Sequence, residues 1–297
     1  MKITLITGGL GFIGSNLCEL LLKKKYTSKC ILLDNFGGYM NPIKDNYVDF
    51  RKQRFPSLKN IIIERCDTSN YKALSSIISK YRPNYIYHTA ALPLAKVSNL
   101  NNEEAKISSV DSTVNIIDAI NLIKNSNKNF KFSRFIYFSS SMVYGDFEND
   151  FVKEDAVCNP QGQYGIFKYV GEKIVEDYAR RHGFDYTIVR PSAVYGAWDV
   201  NDRVISKFML GAMRGETLKV RGANEVLDFT YVTDTAKGIA LAALSKNSIG
   251  KIYNITRSSD KILTLQGAAD MIVNMVGNGS VEIFDRDLNF PKRGRLS

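Results

Sequence analysis

A chain of 297 residues, 44% hydrophobic and 24% charged, has the composition of a globular protein with one large or two interlocked domains, which excludes a disordered or fibrous chain. Its net charge of +10 invites a nucleic-acid partner, but the basic residues are scattered, and the densest run, Lys23-Lys24-Lys25, falls at a helix end where cations suit the dipole. No stretch approaches the ~18 apolar residues of a membrane span, and Cys18, Cys30, Cys66 and Cys158 form no CxxC pair and share no metal-ligand spacing with His88 or His182.

Reduced, buried thiols in a cytoplasmic protein, with no metal and no nucleic acid, are therefore expected. The first residues, "MKITLITGGLGFIG", mimic a signal peptide faintly, but their glycines and the lack of a small-residue cleavage site argue against one.

Along the chain, short aliphatic runs alternate with amphipathic stretches. The runs at 2–7, 30–34, 60–67, 85–90, 134–140 and 185–191 predict strands. They are apolar almost without interruption, as in a parallel sheet covered on both faces. Helical patterns fill the intervals at 14–24, 71–81, 103–125 and 163–183. This order predicts an α/β fold with a doubly wound parallel sheet. Beyond about residue 191 the pattern loosens into further helix and strand pieces, without a linker or repeat. A smaller α/β part grafted on the sheet is expected over 191–224 and 246–297, with strand 225–232 and helix 234–245 returning to the first domain, residues 1–190.

The first strand is followed by "ITGGLGFIGSNL", which sets Gly8, Gly11 and Gly14 between strand and helix. A dinucleotide pyrophosphate needs this geometry: a tight turn, a backbone approach without Cβ, close helix–strand packing, and a helix N-terminus facing the phosphates. Asp34 ends the next strand, twenty residues after Gly14, where a carboxylate accepts from the ribose hydroxyls and repels a 2′-phosphate, favouring NAD over NADP. Asp67 follows the third strand and either meets the adenine edge or is a solvated turn residue.

"FSSSMVYG" places three hydroxyls at the carboxyl edge of a buried strand, where open α/β sheets bind ligands. Twenty-four residues after Ser140 comes "YGIFK". Tyr164 and Lys168 share a helix face one turn apart. A phenol ionises near pH ~10, and a neighbouring ammonium favours the phenolate. The pair is thus either a general base or part of an ordinary amphipathic helix.

In order and spacing, "TGGLGFIG", "LLDN", "CDTSN", "YHTAA", "FSSSMVYG", "YGIFK", "RPSAVYG" and "DFTYVTDTAKGIALA" resemble the extended short-chain dehydrogenase/reductase superfamily, in particular its nucleotide-sugar epimerases and dehydratases. The resemblance implies a Rossmann-type domain, catalytic Ser140, Tyr164 and Lys168, and NAD as cofactor. It carries the cofactor site onto Gly8, Gly11, Phe12, Ile13, Gly14, Asp34, Asn35, Asp67, Thr68, Ala90 and Ala91, with Tyr164 and Lys168 on the nicotinamide side. Tyr164 as phenolate would take a proton from a sugar hydroxyl, hydride would pass to NAD, and Ser140 would bond the reacting oxygen.

Dehydratases of the family carry an Asp-Glu pair where this chain has Ser141 and Met142, and the related decarboxylases a Glu at Met142. The resemblance therefore points to a sugar 4-epimerase in polysaccharide synthesis, with a reductase or dehydratase, and a non-catalytic dinucleotide sensor, as alternatives. Family positions for a pyrophosphate Arg and two Asn are held by Leu227, Ala193 and Ser109. Ser141, Arg203 and Arg221, with Lys207 and Arg214, are the expected contacts to a nucleotide-diphosphate sugar. Family members continue past "FPKRGRLS", so a C-terminally truncated substrate part is expected, and helices near 103–124 and 161–181 would pair in a homodimer.

Overall fold

The computed structural model describes residues 2–37, 55, 59–92, 102–147, 151–199, 203–257 and 261–297. The chain opens with β1 (Ile3–Thr7), α1 (Phe12–Lys23), β2 (Lys29–Asp34), β3 (Ile61–Arg65), α2 (Tyr71–Tyr81) and β4 (Tyr85–His88). Helix α3 is composite: Asn102–Lys106 passes through a π-helical turn, Ile107–Asp111, into Ser112–Ser126. Then come β5 (Arg134–Phe138), a 3₁₀ turn Ser141–Tyr144, β6 (Phe151–Val152), α4 (Gly162–His182) and β7 (Tyr186–Pro191). The remainder is β8 (Ala193–Tyr195), α5 (Val204–Met213), β9 (Thr217–Arg221), β10 (Phe229–Tyr231), α6 (Val232–Leu244), β11 (Lys251–Ile255), α7 (Leu265–Val276), β12 (Ser280–Phe284) and β13 (Arg295–Leu296).

Seven strands form one parallel sheet in the order β11-β7-β5-β4-β1-β2-β3. Its strands are apolar throughout because successive side chains serve opposite cores. Leu5, Ile31, Leu33, Phe135, Tyr137 and Ile188 point to the face covered by α2, α3 and α4. Their neighbours Ile6, Leu32, Ile136, Phe138 and Val189 meet α1 and α6 on the other face. The chain runs outward from β1 to β3 and then returns to place β4 on the opposite side of β1. That reversal opens a crevice at the carboxyl ends of β1 and β4, the ligand position of doubly wound sheets.

Helix α6 packs on α1. Two details differ from the sequence expectation. The strand expected at 225–232 shrinks to β10, which pairs with β8 outside the main sheet. Residues 251–255, expected within the substrate part, form β11 at the edge of the central sheet, paired with β7 from Lys251–Thr187 to Ile255–Pro191. β11 pairs with the open backbone edge of β7, a long-range pairing that local periodicity cannot reveal.

The smaller part contains α5, α7 and the β12–β9 pair, around Phe208, Ala212, Leu218, Val220 and Ala269. The last residues cross back as a strap. Leu296 is fully buried, β13 pairs with β6, and the Leu296 amide donates to Asp228 at 3.0 Å. Of the four cysteines, all free, Cys18, Cys30 and Cys66 are buried but Cys158 is only partly so. Among the described residues no helix is long and apolar enough to cross a membrane.

Candidate active site

The crevice is a cavity of about 1000 Å³. Its walls include every cofactor residue expected from the sequence, together with Ser140, Ser141, Tyr164, Lys168, Arg203 and Arg221.

At one end, the turn after β1 closes by a bond from the Gly11 amide to the Gly8 carbonyl, 2.9 Å. Gly8 has φ +63°, and a Cβ at Gly14 would stand 2.5 Å from the Gly8 carbonyl oxygen. Only glycine allows so tight a turn. It delivers the chain into α1, whose N-cap, Gly11, has no capping side-chain bond and whose first turn carries no acidic residue. The helix start can therefore serve an anion.

Asp34, buried at the end of β2, accepts from the Leu10 amide at 3.0 Å through Oδ2 and from the Phe36 amide at 3.0 Å through Oδ1. Besides facing the cavity, it shapes the glycine turn, a role invisible in the spacing. Asn35 donates to Asp67 at 2.9 Å, as does the Ser69 amide. Burial pushes the Asp67 carboxyl up, but these bonds outweigh it and hold the group below its ordinary value. Thr68 is buried beside them, and the Ala90 amide bonds Thr7 Oγ1 at 3.2 Å. A glycine cradle, an uncapped helix start and a carboxylate at the second strand end fit a dinucleotide such as NAD.

The other end is built by α4 and the end of β5. Tyr164, Lys168 and Glu172 lie one turn apart on one helix face and address three consecutive residues. Lys168 Nζ donates to the Phe138 carbonyl at 2.7 Å. Ser139 Oγ donates to Glu172, and the Ser140 hydroxyl faces Tyr164 across the cavity edge and favours its ionised form. Ser140 also caps the 3₁₀ turn, accepting from the Met142 amide at 3.2 Å. Close approach of α4 depends on Gly171, where a Cβ would stand 2.0 Å from the Tyr137 hydroxyl oxygen.

The electrostatics differ from the expectation in one respect. Burial raises the Tyr164 phenol above its ordinary value, and the opposing influences are the Arg203 charge and the Ser140 hydroxyl, not Lys168. Lys168 Nζ lies 5.9 Å from the centre of the Tyr164 ring, and its own pKa is lowered to about 8 by burial, against the pull of Glu172. Side-chain spacing gave the right helix face but not the desolvation.

Behind β5, His88 bridges Thr7 Oγ1 at 2.8 Å and Thr113 Oγ1 at 3.2 Å. Burial, then the Lys168 charge, lowers its pKa to about 3, so the ring is neutral. The π turn is tied by Ser112 and Thr113, which donate to the carbonyls of Ser108 and Ser109. Ser109, at the family's Asn position, is buried under this turn, while Ser108 lines the cavity.

Beyond the end of β5, Ser141 is met by Arg293, a residue the sequence did not single out. Arg293 donates to the Ser141 carbonyl at 3.2 Å and to Ser141 Oγ, approaches Met142 Sδ at 3.2 Å, and stacks over Phe147 at 4.6 Å. Burial lowers its pKa to about 10. Arg203 lies over the Phe12 ring at 5.4 Å and donates to the Val194 carbonyl at 3.1 Å. Arg221 lies over Phe284 at 5.6 Å. Lys207 also reaches the cavity, whereas Arg214 stands outside, 3.8 Å from Glu216. Leu227 and Ala193 line the wall as apolar groups.

Fold and cavity together define a dinucleotide-binding protein of the doubly wound α/β class. The sequence model of the NAD dependent epimerase/dehydratase family matches residues 4–256, and the chain belongs to that family. It is 29% identical over 298 residues to a putative UDP-glucose 4-epimerase of Methanocaldococcus jannaschii, covering 98% of this chain and 87% of that one. It is 27% identical over 283 residues to a dTDP-D-glucose 4,6-dehydratase of Dictyostelium discoideum, covering 91% of this chain but 61% of the relative's length. Among solved structures, it is similar in fold to the UDP-glucuronic acid 4-epimerase of Bacillus cereus in complex with UDP-glucuronic acid and NAD. The TM-score is 0.85 at 24% identity, over 100% of this chain and 90% of the other.

Proposed function

We propose that this protein is an NAD-dependent epimerase that inverts a carbinol centre, C4, of a nucleotide-diphosphate sugar. The observation that carries the reading is the α4 face that presents Tyr164 to Ser140 and Lys168 to the Phe138 carbonyl at the edge of the glycine-turn cavity. Bound NAD would supply a reversible hydride acceptor at the sugar carbinol, with no net redox over the turnover. Gly8, Gly11, Phe12, Ile13 and Gly14 would hold its pyrophosphate, Asp34 and Asn35 the adenosine ribose, Asp67 and Thr68 the adenine side, and Ala90 and Ala91 the inner wall.

Tyr164 takes the hydroxyl proton as general base and Ser140 bonds the same oxygen while its charge develops. Burial raises the phenol, and Arg203 and Ser140 act in the opposite direction, toward the phenolate that a general base needs. Lys168 would bind the nicotinamide ribose and keep the site cationic.

Ser141 and Met142 offer no carboxyl group for eliminating water, which favours inversion over dehydration. Arg203, Arg221 and Arg293 supply cations for the substrate diphosphate or another anionic group, since Leu227 cannot. Ile166 and Val170 on α4 and Leu122 on α3 remain exposed, whereas Val175 and Ile174 pack into the core. Those exposed residues are the proposed homodimer face. Cytoplasmic polysaccharide synthesis is the proposed setting, and residues 1–190 with α6 and β11 the proposed dinucleotide domain.

A panel of UDP-, GDP-, CDP- and dTDP-sugars, followed by NMR in deuterated water with and without NADPH, tests the reading. Inversion without NADPH is the expected outcome. Net reduction, or deuterium entering C5 with loss of water, would replace it by a reductase or a dehydratase.

A further inference from the structure

Glu172 is fully buried one turn beyond Lys168, and a guanidinium grips it from β7. Arg190 donates through Nε to Oε1 at 2.8 Å and through Nη2 to Oε2 at 2.7 Å. Arg190 is itself buried and reaches on to the Tyr144 hydroxyl at 2.8 Å, which donates to Asn254 on β11 at 2.8 Å. Ser139 Oγ completes the carboxylate, between the residue that holds Lys168 and the residue that meets Tyr164. A buried ion pair is weak evidence for stability, since apolar replacement is often neutral. Its location suggests another purpose.

We propose that Glu172, fixed by Ser139 and Arg190, is a positioning residue that keeps Lys168 protonated against the Phe138 carbonyl while the base works. The proposal rests on the assignment of Tyr164 and Lys168 above.

The groups facing Lys168 are few. His88 from β4 is neutral, Tyr137 from β5 presents its ring at 5.6 Å, and Tyr164 its ring at 5.9 Å. From β7, Arg190 opposes protonation, and Glu172 is the charge that favours it. Arg203 acts on Tyr164 rather than on Lys168. With burial already lowering the lysine, loss of Glu172 removes the negative charge that favours the ammonium.

The test compares Glu172→Gln, Glu172→Asp and the charge-neutral pair Glu172→Gln/Arg190→Met in the full chain. For each, kcat/KM and NAD affinity are measured across pH 6–10 (roughly the range in which a displaced lysine titrates). Tyr164→Phe runs alongside. In Glu172→Gln the alkaline loss of both kcat/KM and NAD affinity should begin about one pH unit lower, a tenfold change in proton affinity, and in the double variant, which also removes the opposing guanidinium, it should begin lower by a smaller step. Glu172→Asp should restore the parental limb even if turnover falls. The double variant leaves no unpaired buried charge, so a folding failure of Glu172→Gln alone does not remove the measurement. Alkaline limbs unchanged in the folded variants would overturn the proposal and leave Glu172 a structural residue. Unimpaired turnover in Tyr164→Phe would instead sink the underlying catalytic assignment.

Discussion

Arg293 donates to the Ser141 carbonyl across 152 residues of sequence, so the strap that ends the described chain forms one wall of the pocket opened by the strand end at Ser140. Its hydrogen-bond partners there are neutral, and burial holds its pKa near 10. A buried cation of this kind is suited to an anionic group of the substrate.

Arg293→Met is therefore expected to lower kcat/KM by about 10- to 100-fold, the worth of a hydrogen bond to a charged group. NAD affinity should be unchanged. The melting temperature should hold or rise, because the change also removes a buried charge. Steady-state kinetics with a nucleotide-diphosphate sugar checks the first effect, calorimetric titration with NAD the second, and thermal unfolding the third.

Asp34→Asn separates two duties of one carboxylate. An amide nitrogen cannot accept from the Leu10 or Phe36 amides as the carboxylate does, and repulsion of a 2′-phosphate disappears. NAD binding should weaken by about tenfold or more, consistent with one lost charged hydrogen bond. Discrimination against NADP should shrink at the same time. Fluorescence titration with both dinucleotides measures the ratio.

Gly171 allows α4 to lie against Tyr137, whose hydroxyl donates to the Lys168 carbonyl at 3.2 Å. Gly171→Ala should destabilise by about 1–3 kcal/mol through overpacking. Adding Tyr137→Phe removes the atom that a new Cβ meets first. Urea unfolding of the single and double variants should then show the double as the more stable of the two Ala-containing proteins.

His88 gives the protein an acid-sensitive term. Its pKa is near 3 when folded, against an ordinary value near 6.5, so the unfolded chain binds the extra proton between those values. Stability from this residue is present above about 6.5 and is lost as pH falls toward 3. Wild type should lose stability faster than His88→Gln over that window. Parallel slopes in denaturant titrations at pH 7, 6 and 5 (about the accessible part of the range) would contradict this.

Much of the architecture was legible because the information is local. Continuous apolar runs with helices between them predicted the parallel sheet, and glycine spacing after β1 predicted the turn that now appears at Gly8 and Gly14. The four-residue spacing of Tyr164 and Lys168 put both on one helix face toward the cavity. Glu172 continues that spacing and was open to the same argument.

What the sequence by itself determined was thus the fold class, the glycine turn and the helix face with its tyrosine and lysine, all consequences of periods shorter than two helical turns. Only the tertiary structure brought Arg190 to Glu172, Arg293 to Ser141 and β11 to the sheet edge. It also decided that burial raises Tyr164 and that Arg203 is the cation opposing it. Ion pairing and desolvation depend on which distant segments exclude water from a side chain, and that is fixed by packing, not by the spacing of neighbours.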